Sequence, residues 1–257
     1  MSRKLQWVVL ATLAVCSACE KGKGEQELID KVMSAKGIDS APPPAPTAAP
    51  YKMMPELAID ELGAYFGGRR ADKLTKKEGQ KKLDEIIKLL PVDGPVTIDV
   101  AKKAKIPDVG IVVEAFGRAG APKVIVKTEG RADLPKELEL TPLSLVSKPA
   151  DCAVIGSINE ELLVAVWTLK GGGGGKYRKG WAGPDLTHAS EGMEKRLERC
   201  DADVAFFSAN ATLDWQMAFN VGGTLLKADP DGKKLKHLVL LGEEPVGGRK
   251  VELQFKK

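Results

Sequence analysis

Few residues in this chain could carry chemistry. Only His188 and His237 offer an imidazole. His188 lies in a polar stretch with Asp185 and Thr187, near a helix start, and reads as a solvated surface residue. His237 precedes an apolar strand and reads as an edge or boundary residue. Two isolated imidazoles without a cysteine or a clustered carboxylate partner argue against a zinc site. No G-x-S-x-G, H-E-x-x-H or P-loop pattern occurs. The run Gly171–Gly175 precedes Lys176, Tyr177, Arg178 and Lys179, but it lacks the spacing to a GK[ST] helix start. It reads as a flexible hairpin-to-helix linker. Gly67-Gly68-Arg69-Arg70 and Gly247-Gly248-Arg249-Lys250 are short basic turns. On their own these are solvated loops; together they would offer cationic contacts to an acidic partner. Trp167, Trp181 and Trp215 are expected to fill core positions. No cofactor is expected, and the chain is not expected to be an enzyme.

The first twenty residues set a compartment. Arg3 and Lys4 form a positive n-region, and Leu5–Val15 is an apolar run without an acid. That run is shorter than the roughly 20 residues a spanning helix needs, and it fits the h-region of a secretory signal. Cys16-Ser17-Ala18-Cys19 follows. Small residues ahead of a cysteine resemble the lipobox of bacterial lipoproteins, with cleavage before Cys19 and lipid on its sulfur. Cys16 departs from the aliphatic residue usual at its place. Cleavage before Cys16 is the weaker alternative, because Val15 is bulky for the last position. The resemblance implies a signal peptide over 1–18 and a periplasm-facing lipoprotein of the cell envelope, tied to a membrane through its anchor. Glu20 after the cysteine leans towards the outer membrane.

The bulk composition is ordinary. The chain has 257 residues, 43% hydrophobic and 29% charged, which excludes collagenous, wholly disordered and polytopic membrane classes. Its formal charge is +4, from 39 basic and 35 acidic residues. Removing Arg3 and Lys4 leaves 37 against 35, about +2, too balanced for the concentrated basic face of a nucleic-acid binder. Residues 19–50 read as a Pro/Ala-rich, disordered tether. Gln26–Lys36 would make one isolated helix, with Leu28, Ile29, Val32 and Met33 on a face, marginal in water. Ala41–Pro50 is a polyproline-type spacer.

One pattern of elements recurs in the remainder. Val96–Val100 alternates like a strand. Ile106-Pro107-Asp108 opens a helix, with proline at the first position and an acid favoured by the dipole. Val109, Val112, Val113 and Phe116 form its apolar stripe, and Gly120 is placed to cap it. Val124–Val126 is the next strand, so a right-handed crossover and a parallel pair follow. Downstream, Asp203–Phe207 is a strand, Thr212 an N-cap, Leu213–Phe219 the helix start and Leu238–Leu241 the closing strand. Superposing Asp108 on Asp214 places Ile98 on Val204, Val100 on Phe206, Val109 on Trp215 and Val113 on Phe219 without a gap. Each unit is preceded by a hairpin, Leu57–Asp60 with Ala64–Phe66 and Ala153–Ile155 with Leu162–Trp167. A charged helix follows each hairpin, around Lys76–Leu90 and around Ser190–Arg199. The expected fold class is α+β with α/β-like crossovers, two tandem β-β-α-β-α-β units over 51–135 and 150–257.

Leu57 through Gly68 resembles the opening hairpin of the periplasmic domain of the ExbD/TolR biopolymer-transport family. Val96–Val100, Ile106–Val109, Ala119-Gly120 and Val124–Val126 are similar to that domain's strand, helix and closing strand. The likeness covers residues 55–128 well and 152–242 loosely. Family members work through an N-terminal transmembrane helix whose Asp takes part in proton flow; Leu5–Val15 has no acid to match it. The resemblance therefore implies the fold and an envelope setting without a proton channel. The expected role is a non-catalytic interaction module, binding an envelope protein of a TonB/Tol-type system or peptidoglycan, with Arg69, Arg70, Arg249 and Lys250 as contact residues. Strand addition at an exposed sheet edge is the natural mode, and Lys250–Phe255 alternates as an edge strand would. Because such domains pair as dimers, the two copies would form an internal pseudo-dimer and leave the chain monomeric. The alternative is a small-molecule-binding lipoprotein or cryptic enzyme, with a pocket between the units lined by tryptophans.

An exported chain favours disulfides. Cys152 would begin a strand and Cys200 end a helix beside it, and their bridge would contribute about 3–4 kcal/mol in the chain-entropy model. Two buried free thiols are the other possibility. Neither cysteine belongs to a C-x-x-C, so a redox-active pair is not expected.

Overall fold

In the computed structural model, which describes residues 57–253, strand β1 (Leu57–Asp60) pairs antiparallel with β2 (Gly63–Phe66). The pair is extended by β3 (Arg69–Ala71), a strand not anticipated from the sequence. Gly67 and Gly68 both take positive φ, 53° and 78°, as a two-residue hairpin turn demands. Helix α1 (Lys77–Ile87) follows and buries Leu83, Ile86 and Ile87. Next comes β4 (Val96–Val100), whose Val96, Ile98 and Val100 point inward while Thr97 and Asp99 face out. Helix α2 (Ile106–Arg118) carries Pro107 in its first turn and buries Val109, Val112, Val113 and Phe116, the stripe expected of it. Gly120, at φ 104°, lies just past its C-cap. Strand β5 (Val124–Lys127) then lies parallel to β4, with Val96 opposite Val124 and Ile98 opposite Val126.

The stretch between the two expected units contributes a strand. Glu137–Leu140 forms β6, antiparallel to β5 on one side and parallel on the other to the last strand among the described residues. That second half contains β7 (Val154–Ile158), β8 (Val164–Thr168), β9 (Gly175–Tyr177), α3 (Leu186–Glu198), β10 (Val204–Ala209), α4 (Trp215–Lys227) and β11 (His237–Leu240). The protein is thus mixed α/β: one sheet of eleven strands in the order β3-β2-β1-β4-β5-β6-β11-β10-β7-β8-β9. Read from either edge inward, two antiparallel pairings are followed by two parallel ones. The two halves therefore have the same strand order and run opposite ways about β6.

Hydrogen bonds repeat in step. Ala101 N–H donates to Ile59 O as Asn210 N–H donates to Ile158 O, both at 2.8 Å. Ala104 bonds back to Ala101 as Leu213 does to Asn210, both at 3.0 Å. The helix N-caps Lys105 and Asp214 occupy matching places, and they face each other in an antiparallel bridge. The structural shift between the halves is therefore 109 residues (214 − 105), whereas the gapless superposition of Asp108 on Asp214 uses 106. That superposition is three residues out. An odd slip reverses which face a strand residue occupies. Ala205, Phe207 and Ala209 share the main core with Ile98 and Val100, while Val204 and Phe206 belong to a second core. The helix accordingly starts at Trp215, and Thr212 does not cap it but bonds to the Asn210 side chain at 2.7 Å.

The four helices of the described residues build the main core, which runs through both halves. Beyond it the halves differ. In the second half the sheet is buried on both faces, and Trp167, Phe206 and Val239 form the second core under Val146, Val251 and Leu253. Lys250–Leu253 is therefore not an edge strand: Val251 N–H bonds to Leu169 O at 2.9 Å and the segment packs on this second core. In the first half the corresponding face shows Thr97, Asp99, Lys127, Glu137 and Glu139 to solvent.

Candidate functional site

Among the described residues the edges of the sheet are β3 and β9, three residues each. A strand paired on one side only leaves a row of backbone donors and acceptors available. At the β3 edge Arg69 is exposed, but Arg70 is engaged within the protein. Its guanidinium forks onto both oxygens of Asp60 at 2.7 Å each and stands 6.0 Å from the Tyr65 ring centre. Those hydrogen bonds hold the Asp60 carboxyl below its ordinary range, against a smaller opposing effect of burial. Arg70 thus braces three strands, and Arg69 is the side chain left for a partner.

Arg249 and Lys250 lie at the other end. Gly172 N–H donates to Gly248 O at 2.8 Å, and Trp167 Nε1–H donates to the Arg249 carbonyl at 3.0 Å. A Cβ on Gly171 would meet the Lys250 backbone nitrogen at 2.6 Å, so the two glycine-rich segments lie against each other. Lys250 Nζ is 3.3 Å from Glu252. The basic turns expected to act together therefore sit at opposite ends of the sheet and do not form one anion site. Gly171–Gly174 is also not a linker into a helix. It is the turn from β8 into β9, and Arg196 donates to its Gly173 carbonyl at 2.6 Å.

Cys152 and Cys200 form a disulfide, with Cα atoms 5.6 Å apart, joining the entry of β7 to the exit of α3. Asp185 caps α3 by accepting from His188 N–H at 3.2 Å, and its other oxygen is 2.7 Å from His188 Nδ1. Desolvation opposes ionisation of Asp185, but the bonds from His188, with Lys179 nearby, outweigh it and hold the carboxyl low. The His188 side chain is itself exposed, as expected. His237 opens β11 and pairs with Thr141 at 3.2 Å. Among the described residues no three His, Cys, Asp or Glu side chains are grouped to hold a metal ion. Cys16 and Cys19 lie outside the described residues.

A cleft of about 1050 Å³ opens where β1, β4 and β5 end. It belongs to the first half and is lined by Asp60, Asp99, Lys127 and the ion pair Lys102–Glu129 at 2.8 Å. Asp108, whose carboxyl burial pushes above its ordinary range, is not in its wall. No tryptophan lines it either. Trp167 and Trp215 are fully buried in the two cores, and Trp181 is 102% exposed. The expectation of three core indoles is thus right for two and wrong for Trp181. Gly180 and Gly183 around Trp181, with no apolar periodicity beside it, are the sequence signal of that exposure.

No protein-family model, curated protein or solved structure matches this chain.

Proposed function

We propose that this protein is a lipid-anchored, non-catalytic interaction module of the cell envelope, built from two tandem ExbD/TolR-like periplasmic units. It would bind a protein of a TonB/Tol-type system, or peptidoglycan, by adding a strand at the β3 edge. The observation that carries this reading is the repeated strand order, β3-β2-β1-β4-β5 in one half and β9-β8-β7-β10-β11 in the other. It supports a duplicated module, the recurrence that the order of elements in the sequence suggests. The Cys152–Cys200 disulfide supports an oxidising compartment, and the short, basic β3 strand supports edge recognition through main-chain bonds. The lipid anchor rests on Cys19 and the apolar leader alone.

The competing reading, a small-molecule-binding lipoprotein or cryptic enzyme, draws on the cleft of about 1050 Å³. It is the weaker one, because the cleft's Asp60 and Glu129 are neutralised by Arg70 and Lys102 and its wall offers no aromatic anchor.

The test is a photo-crosslinking residue placed at Arg69, irradiated in intact envelopes. Adducts with a membrane-motor subunit or with wall fragments are expected, and the same residue placed at the packed Val251 should give none. Absence of any adduct from position 69 removes the edge-pairing role.

A further inference from the structure

We propose that the β9 end of the sheet docks on an anionic lipid surface through Trp181. The indole is held outward by a built loop. A single 3-10 turn, Gly180–Ala182, is closed by Ala182 N–H to Lys179 O and by Lys179 N–H to Gly183 O, both at 2.9 Å. Arg178 Nε–H donates to Gly180 O at 3.1 Å, and Arg178 bridges Pro184 across the base. Gly180 and Gly183 have φ of 52° and 98°, a backbone that ordinary residues rarely adopt. The loop therefore presents a side chain 102% exposed by hydrogen bonding rather than for want of a core position.

The stretch that carries it is basic. From Lys170 to Pro184 the sequence contains Lys170, Lys176, Arg178 and Lys179 and no acid. Arg249 is brought beside this stretch by the Gly172–Gly248 contact, as is Lys250 with its partner Glu252. The first acid, Asp185, is already bound by His188 and lies 3.9 Å from Lys179. A protruding indole in a basic stretch is the pattern that seats at a bilayer interface, the ring at headgroup level and the cations on anionic lipid. A saccharide site would instead need a concave platform with the indole laid flat. The proposal goes beyond the edge-pairing reading and does not depend on it: with the β9 end on lipid, β3 is the edge that remains for a partner.

The test uses the mature chain from residue 19 with Cys19→Ser, so that neither the apolar leader nor an acyl chain contributes. Tryptophan emission is followed with brominated phosphatidylcholine vesicles, with and without phosphatidylglycerol. Quenching is expected with the anionic vesicles alone and is expected to vanish in Trp181→Phe, whose near-UV circular dichroism stays native. Replacing Lys176, Arg178 and Lys179 by Gln should weaken binding about fivefold per cation, on the order of a hundredfold together. Quenching that persists in Trp181→Phe overturns the proposal. So does an absence of quenching with anionic vesicles, and so does a Trp181 response to lipid-free peptidoglycan only.

Discussion

The Trp215 indole donates to Thr128 Oγ1 at 2.8 Å, and that hydroxyl donates in turn to the Val100 carbonyl at 3.0 Å. Phe207 and Phe219 flank the ring at 6.5 and 6.1 Å. The chain of bonds stitches the second half's helix to the end of a first-half strand, and the indole itself is fully buried. Thr128→Val keeps the volume but leaves the indole N–H buried and unpaired, which costs about 1–3 kcal/mol. Adding Trp215→Phe removes the orphaned donor, so the two losses should not sum; urea unfolding of both single variants and the double variant measures the coupling. Strict additivity would show that the bond is idle. At this scale the sequence is readable where a residue has neighbours of its own kind. Trp167 sits in an apolar run and Trp215 shares a helix stripe with Ala218 and Phe219, and both are core; Trp181, between glycines and cations, is not. The Trp215–Thr128 partnership joins residues 87 positions apart, and no local pattern announces it.

Among elements, the first half is legible because its sheet has one dry face. Alternation in Val96–Val100 fixes strand and register at once, and the 3.6-residue stripe of α2 fixes its face. β10 is buried at every position, so it has no alternation to fix its register. Matching the halves on a shared aspartate then slips by three residues and turns Val204 and Phe206 to the wrong side. Strands β3 and β9, three residues each, are too short to carry any period. The cysteine pair was legible as a possibility, because strand entry and helix exit adjoin in such a unit. Converting Cys152 and Cys200 to Ser should cost about 2–4 kcal/mol of stability. The intact chain should gain the mass of two hydrogens on reduction of this pair, and no gain would mean free thiols.

At the scale of the molecule, the halves meet as subunits of a two-fold dimer do, with the N-cap bridge Lys105–Asp214 near the centre. A chain that already contains its own partner has no like surface left to pair, so sedimentation should give a monomer. A tight dimer would refute that internal pairing. The central strand β6 occurs once, and it serves the two halves differently, antiparallel to β5 and parallel to β11. Two identical polypeptides could not share it so. A symmetric pair of chains must offer the same grip at each extremity, whereas here one extremity ends in Arg-Arg-Ala and the other in Gly-Lys-Tyr with a tryptophan turn beyond. A single chain is under no such constraint, and the two extremities of this sheet carry different side chains.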